Sequence, residues 1–345
     1  MRTLSSAITT KQDAASKIPY VKLLFTSADG GTTRDYSSRL LQLEHHEEAY
    51  NDYATLELYD NDAGVADIRG YWVQIGYGFY TGNNVAEPNG DNAGNEYSYT
   101  ARLWVKHQQR ISAEGILVQR LQLEGMWTWL YEQYFTEGSP PYYTKEYTAD
   151  TVYAILTIIF TMANMSLDAL GTENDSIINT YTPQFQVNNV PFERLRTVIQ
   201  RLIRMTKCYL RAEAGLEWKV VYPETSDEAD ATFYSGQTPF FYEYMESYNV
   251  VMPNSIKVVY NFTDEDITTA EVYEGSAGID QTEIDRYTEV PWLEIAGEIT
   301  SLADAANRAA ALLTRALAES MSCRLIIPHH CGLELYDNVE VYDSR

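Results

Sequence analysis

The strongest constraint on the fold is a period-two alternation of side chains over residues 71–80, the spacing of a β-strand. The large apolar residues on one face are Tyr71, Val73, Ile75, Tyr77 and Phe79. Gly76 and Gly78 fall on the other face, where they allow bending or close approach of another strand. Further strand-like segments occupy residues 20–25, 55–59, 97–106 and 116–124. Because no long helix interrupts them, they indicate a sandwich or a barrel, and residues 20–125 are assigned as a first β-barrel. Residues 1–19 are polar and predict an N-terminal flexible arm or a contact segment.

The pattern changes near residue 126 and predicts an α/β middle domain over residues 126–225. Met126 to Tyr131 suggests a short aromatic helix, and Asp150 is a candidate N-cap for a helix from Thr151 to about Leu170. Pro191 opens an amphipathic helix that is expected to end near Lys207. The apolar residues of its inner stripe are Leu195, Val198, Ile199, Leu202 and Met205. A hairpin over residues 208–222, turned at Ala214-Gly215, should follow.

The last part of the chain, residues 226–345, predicts a second β-barrel with a closing helix at 301–320. Residues 255–260 form its clearest strand, and Ser301 with Asp304 forms a variant capping box at the start of the helix. Strands over 323–327 and 335–341, joined by a short turn, should close the barrel. The predicted fold class is therefore mainly β with an α/β insertion between two barrels.

The net charge of −24 opposes binding to nucleic acid through phosphate contacts, which require clustered lysine and arginine. It also opposes docking on anionic lipid. Such acidity is typical of a surface that repels DNA, of colloidal solubility, or of adaptation to salt, and composition does not separate these three interpretations.

Cysteine usage and hydropathy predict a protein of a reducing compartment without membrane anchoring. The three cysteines at 208, 323 and 331 are too few and too scattered for a disulfide framework. The first residues lack the apolar core of a signal peptide, and the apolar run at 152–165 is too short to span a bilayer.

No catalytic, metal or cofactor site emerges from the motifs. His329-His330-Cys331 is interpreted as a turn, because adjacent strand residues face opposite ways and rarely bind one ion. His45-His46, flanked by glutamates, is interpreted as a solvated loop. The segment 60–64 departs from a calcium loop because its glycine comes one place early and its twelfth position is Tyr71. The chain is therefore expected not to be an enzyme.

A cluster of basic residues is the one candidate functional feature that stands out in this acidic sequence. Six of the 25 basic residues lie within 18 positions, and they are Arg194, Arg196, Arg201, Arg204, Lys207 and Arg211. On a helix, Arg194, Arg201 and Arg204 fall near one side, opposite the apolar stripe. Either these residues pair with carboxylates of the same chain, or Arg194, Arg201, Arg204 and Lys207 contact another subunit. DNA binding is a third interpretation.

Several segments together resemble the tail hub, or baseplate hub, proteins of tailed viruses, of bacteriophages or of archaea. Residues 55–60 and 71–77 look like the first hub barrel, and 121–127 looks like its exit. Residues 191–222 are similar to the segment that precedes the second hub barrel. Residues 251–258 and 301–343 resemble that second barrel itself. The resemblance is one of architecture and extends over most of residues 20–343.

The resemblance implies a structural virion protein at the tail tip, assembled in the host cytoplasm. In such hubs a homotrimer presents six barrels with the tail-tube fold, which match a sixfold tube above to a threefold tip below. The implied partners are the tail tube or distal tail protein above, and a tip, spike, fibre or tape-measure protein. Genome DNA would pass through an acidic channel without specific binding. The alternative is a carbohydrate-binding or glycoside-hydrolase-like β protein, in which Glu124 is the best-placed acid.

Overall fold

A computed structural model describes residues 1–14, 16–113, 115–136, 145–171, 177–187, 192–224, 227–262, 269–297 and 299–344. Seven strands before residue 125 form one antiparallel sheet, in the spatial order β2-β1-β5-β6-β7-β4-β3. The strands are β1 (Pro19–Thr26), β2 (Thr33–Asp35), β3 (Leu40–Glu48), β4 (Asn51–Tyr59), β5 (Trp72–Asn83), β6 (Gly94–Ala113) and β7 (Ile116–Glu124).

The alternation that predicts strand β5 also builds the core of this sheet. Val73, Ile75, Tyr77 and Phe79 are all buried in it, as the period-two pattern requires. On the opposite face of β5, a Cβ atom at Gly78 would lie 1.8 Å from the carbonyl oxygen of Glu96. Strand β6 therefore approaches β5 at a point that only glycine permits.

The segment predicted as a flexible arm or a contact segment contains helix α1 (Ser6–Asp13), and it contacts the same chain. Ser5 caps the helix by accepting a hydrogen bond from the Ile8 amide at 3.2 Å. Ile8 is buried in the core of the first sheet together with Cys331 from the end of the chain.

The middle of the chain has its own core, in which Trp127, Phe160 and Trp218 pack ring against ring. Its elements are α2 (Met126–Glu132), β8 (Lys145–Tyr147), α3 (Val152–Met162), β9 (Ser166–Leu167), α4 (Ile177–Thr180), β10 (Phe185–Val187), α5 (Leu195–Ile203), β11 (Tyr209–Glu213) and β12 (Glu217–Val221). The predicted aromatic helix and hairpin are confirmed as α2 and β11–β12. The predicted inner stripe of α5 is confirmed as well, since all five of its residues are buried.

Two helix predictions in this region are wrong at their ends. Thr151, not Asp150, caps α3, because its hydroxyl accepts the Ala154 amide at 3.2 Å. The helix ends at Met162, well before residue 170, because Asn164 adopts a left-handed conformation with φ of 56°. Helix α5 ends at Ile203, and the proposed start at Pro191 lies outside the described residues.

The last block places helix α7 against strand β15, where Ala305 and Ala309 pack on Ile256 and Val258. Its elements are β13 (Ala231–Tyr234), β14 (Glu243–Tyr248), β15 (Ser255–Tyr260), β16 (Glu271–Tyr273), α6 (Gln281–Arg286), β17 (Pro291–Ile295), α7 (Leu302–Ser320), β18 (Met321–Ile326) and β19 (Val339–Tyr342). The strand at 255–260 and the helix capped by Ser301 are confirmed.

The predicted closing hairpin is wrong. Strand β18 pairs with β14, and β19 pairs with β13, so the two final strands are not partners. Residues Glu334 to Asp337 form a turn instead of strand, with the Glu334 amide donating to the Asp337 carboxylate at 2.8 Å. Among residues 227–262, 269–297 and 299–344, the strands form three small sheets: β13-β19, β14-β18 and β16-β15-β17.

The mainly β fold class, with several sheets and a few helices, is confirmed. Closure of the last block into a second barrel stays a prediction, as do the domain limits 1–19, 20–125, 126–225 and 226–345. In the described parts of the chain, no helix combines the length and the apolar character needed to cross a bilayer.

Candidate assembly surface

Helix α5 carries the basic cluster that the sequence singles out. Its apolar stripe is buried against the middle core, and this burial fixes which way its arginines point. Of the predicted contact residues, Arg201 and Arg204 are exposed, whereas Arg194 and Lys207 are half-buried. The four predicted contact residues therefore differ in exposure and do not form one continuous exposed row.

Arg194 is held by the aromatic side chains around α2. Its guanidinium lies 3.8 Å from the ring centroid of Tyr134 and 5.2 Å from that of Tyr131. Its Nη1 also donates to the carbonyl of Glu132 at 3.2 Å. These contacts within the chain account for the position of Arg194.

Arg201 and Arg204 line a surface depression that we name the arginine cleft. It comprises two adjoining hollows of about 590 and 630 Å³, and both residues line both hollows. Arg201 pairs with Glu193 at 2.6 Å and lies over the ring of Phe185 at 4.7 Å. Within the described part of the chain, Arg204 has no carboxylate within 4.0 Å, so its charge is available to a partner.

The far wall of the arginine cleft comes from the last block. Arg315 on α7 donates through Nη2 to the carbonyls of Ile203 at 2.9 Å and Cys208 at 2.7 Å, and thereby fastens α7 to the end of α5. Met252 and Trp292 also line the cleft and are 59% and 50% exposed. The cleft thus combines a free cation with apolar surface. No local pattern in the sequence marks this wall, because Met252, Trp292 and Arg315 meet α5 only through tertiary packing.

A second exposed feature is the two-stranded sheet formed by β14 and β18, which we name the exposed ribbon. Every β14 residue except Tyr244 is exposed, so both of its faces are in contact with solvent. Met245 is 55% exposed and Tyr248 is 69% exposed. Two-stranded ribbons are marginally stable alone in water, and large exposed apolar side chains mark interaction surfaces. The sequence signal that points to this ribbon is the close spacing of Tyr242, Tyr244 and Tyr248, since tyrosine is enriched at interfaces.

Another basic residue of the cluster, Arg211, belongs to a buried ionic group. It lies 3.0 Å from Glu213, 2.8 Å from Asp337 and 3.4 Å from Glu334. Arg2 approaches Glu334 from the other side at 3.3 Å. Burial raises the pKa of Glu334 to about 7, whereas Arg211 and Arg2 lower it. The group joins the middle hairpin to both ends of the chain and is structural.

The interpretation of His45-His46 as a solvated loop is wrong. Both residues lie in strand β3, and the side chain of His45 is only 7% exposed. Its ring nitrogens lie 3.0 Å from the Tyr77 hydroxyl and 3.2 Å from the Asp52 carboxylate. Burial raises the pKa of Asp52, and the hydrogen bond from His45 opposes that rise. The contact of His45 with Tyr77 and Asp52 lies at the edge of the core of the first sheet.

The segment 329–331 is a turn, as predicted, and it packs on the first sheet. The ring of His329 lies 4.4 Å from that of Tyr77, and desolvation on that side lowers the pKa of His329 to about 4, although the residue keeps an exposed edge. The His330 ring accepts the Leu333 amide at 3.1 Å, and Cys331 is buried. The three side chains thus have structural contacts.

The acidic candidates have structural contacts as well. Asp60 accepts hydrogen bonds from the Val65 amide and the Gln119 side chain, both at 2.8 Å. Glu124 pairs across the ladder with Tyr53, whereas the neighbouring Asp52 points to the opposite face. Among the described residues, no three His, Cys, Asp or Glu side chains are grouped so as to hold a metal ion.

No family model matches the sequence, and no curated protein matches it. Solved structures do match the fold. A tail protein from Neisseria meningitidis MC58 aligns with a TM-score of 0.61 and 11% identity, over 94% of this chain and 87% of that one. A 43 kDa tail protein of prophage MuSo2 from Shewanella oneidensis aligns with a TM-score of 0.60 and 11% identity, over 94% and 89% of the two chains. The chain therefore shares the fold of these tail proteins.

Proposed function

We propose that this chain is a structural virion protein that forms a trimeric tail hub at the distal end of a tail tube. The observation that carries the proposal is the shared fold with two tail proteins over 94% of the chain. A similarity that extends over nearly the whole chain includes both β blocks and the middle region between them. Two barrels per subunit, as the sequence predicts, would supply what an adaptor between a sixfold tube and a threefold tip requires.

The surface of the chain supports assembly rather than an isolated monomer. Large side chains that are more than half exposed cluster in the last block: Tyr242, Met245, Tyr248, Met252, Leu293 and Ile295. Exposed large apolar side chains, when several occur on neighbouring strands, mark interaction surfaces. In the proposed hub these strands are covered by neighbouring subunits and by the adjoining tail protein.

The charge of the chain supports a role as part of the DNA-conducting channel. Each subunit carries a net charge of −24, so a ring of subunits repels phosphates wherever its carboxylates face the lumen. The genome would then pass without specific binding. The tail tube or distal tail protein would lie above the ring, and a tip, spike, fibre or tape-measure protein would occupy its lower end or its channel.

Size-exclusion chromatography with light scattering tests the proposal. The expected mass is three times the 39.3 kDa of one chain, and negative-stain micrographs should show a ring with a central hole. Duplex DNA should not bind at physiological salt. A monomer that binds oligosaccharides would overturn the hub in favour of the carbohydrate-binding alternative.

A further inference from the structure

The exposed ribbon and the arginine cleft have complementary surfaces. One face of the ribbon carries Tyr248 and the carboxylate of Glu246, with Cys323 opposite Glu246 on β18. The cleft offers Met252 and Trp292 together with the guanidinium groups of Arg204 and Arg315, beside the single carboxylate of Glu319. Each surface exposes apolar area that is costly in water, and the two carry opposite charge.

Glu246 and Arg204, both in the described part of the chain, do not pair with each other within one molecule. Strand β18 begins at Met321, directly after α7, whose residues Arg315 and Glu319 line the cleft. The ribbon therefore starts beside the cleft, at the pair Tyr248–Met321, and runs to the pair Glu243–Ile326. Among the described residues, the Glu246 carboxylate contacts the hydroxyl of Tyr248 on the same strand, which leaves Arg204 to a partner.

We propose that the exposed ribbon of one copy of this chain docks in the arginine cleft of the next copy, with Glu246 facing Arg204. The two surfaces differ, so the contact is head-to-tail, and its repetition closes a ring of cyclic symmetry. The proposal rests on the trimer proposed above and names the surfaces that hold it together. A second copy of the chain is the favoured occupant of the cleft, because the chain carries a net charge of −24. The positive charge of Arg204 is therefore electrostatically complementary to the acidic surface of another copy.

A cross-linking experiment tests the contact directly. Cys323 lies on the ribbon and is exposed, whereas Cys208 and Cys331 are buried, so the native chain offers one accessible thiol. Thr197 is exposed on α5 and lines the cleft. A short bismaleimide should link Cys323 of one subunit to the new thiol of Thr197→Cys in the next, which gives covalent dimers and trimers on a denaturing gel. Thr161→Cys, which changes an exposed threonine on α3, is the matched control and should give none.

A charge swap provides the second readout. Arg204→Glu and Glu246→Arg should each raise the concentration at which the trimer dissociates by at least about tenfold, and the combined variant should restore it. Both residues are exposed, so each variant should melt at the wild-type temperature when monomeric. A trimer that neither cross-links through Thr197→Cys nor responds to these changes would reject the ribbon–cleft contact and leave the hub in place. A wild-type monomer at all concentrations would reject both.

Discussion

Arg211 donates through Nη1 to Oδ1 of Asp337 at 2.8 Å, and this bond joins residues that are 126 positions apart in the chain. Both side chains are nearly inaccessible to water, at 7% and 2% exposed. Few contacts tie the middle hairpin so directly to the end of the chain. The stability of the whole molecule should therefore depend on this contact.

Replacing Arg211 by methionine should destabilise the protein by about 3 kcal/mol, because Asp337 and Glu334 would stay buried and lose one of their cationic partners, with Arg2 and the N-terminal ammonium remaining. Urea unfolding measures the loss. Arg69→Met is the matched control, since Arg69 pairs with Asp67 on the surface and its removal should cost at most about 1 kcal/mol. Equal losses in the two variants would contradict a structural role for the buried group.

His329 should make stability fall with acid. Its pKa is about 4 in the folded chain against about 6.5 when exposed, so the unfolded state binds the proton first as pH falls. Stability from this residue is full above pH 6.5 and is lost as pH falls towards 4. Because His329 is partly open to solvent, the variant His329→Phe should lose only somewhat less stability than wild type between pH 7 and pH 5 when urea unfolding is compared at the two pH values. Identical pH profiles for the variant and the wild type would contradict the prediction.

Gly78→Ala should force strands β5 and β6 apart. The new Cβ would lie 1.8 Å from the Glu96 carbonyl oxygen, and a backbone atom cannot move aside as a flexible side chain can. The expected loss is at least about 3 kcal/mol by thermal or urea unfolding. At Gly236 a Cβ would have an open position, 3.9 Å from the nearest atom, so Gly236→Ala should stay within about 0.5 kcal/mol of wild type.

Arg315→Ala should loosen the contact between α5 and α7. The carbonyls of Ile203 and Cys208 would lose a charged donor, at an expected cost of about 2–3 kcal/mol. Amide hydrogen exchange should rise around residues 203–209. Arg315→Lys keeps the charge but not the fork of donors and should give an intermediate effect. Unchanged exchange in both variants would show that the two helices are held together by other contacts.

Sequence patterns predicted the helices and strands in which the spacing of apolar residues marks the buried face. The alternation in β5 and the stripe of α5 each identify a buried face, because one face of a regular element contacts one core. Strand β3 escaped prediction because it is an edge strand with a largely polar sequence, and such edges resemble loops in composition. The end of α3 depended on one backbone angle at Asn164, which local sequence indicates only weakly.

The candidate surface was predictable only in part, for a similar reason. The sequence located Arg201 and Arg204, since their spacing on one helix is a local property. It could not separate them from Arg194, whose position depends on Tyr134 from a distant segment. Arg211 likewise belongs to a group assembled from both ends of the chain.

The placement of Cys331 has a consequence for synthesis of the chain on the ribosome. Its amide donates to the side chain of Gln12 at 2.9 Å, across 319 positions of sequence, inside the core that also holds the first seven strands. Those strands emerge first, yet the residue that completes their packing emerges only after the middle region and most of the last block. A nascent chain must therefore carry an incompletely covered first sheet until residue 331 has emerged, and products truncated before that residue should be the ones that chaperones and proteases retain.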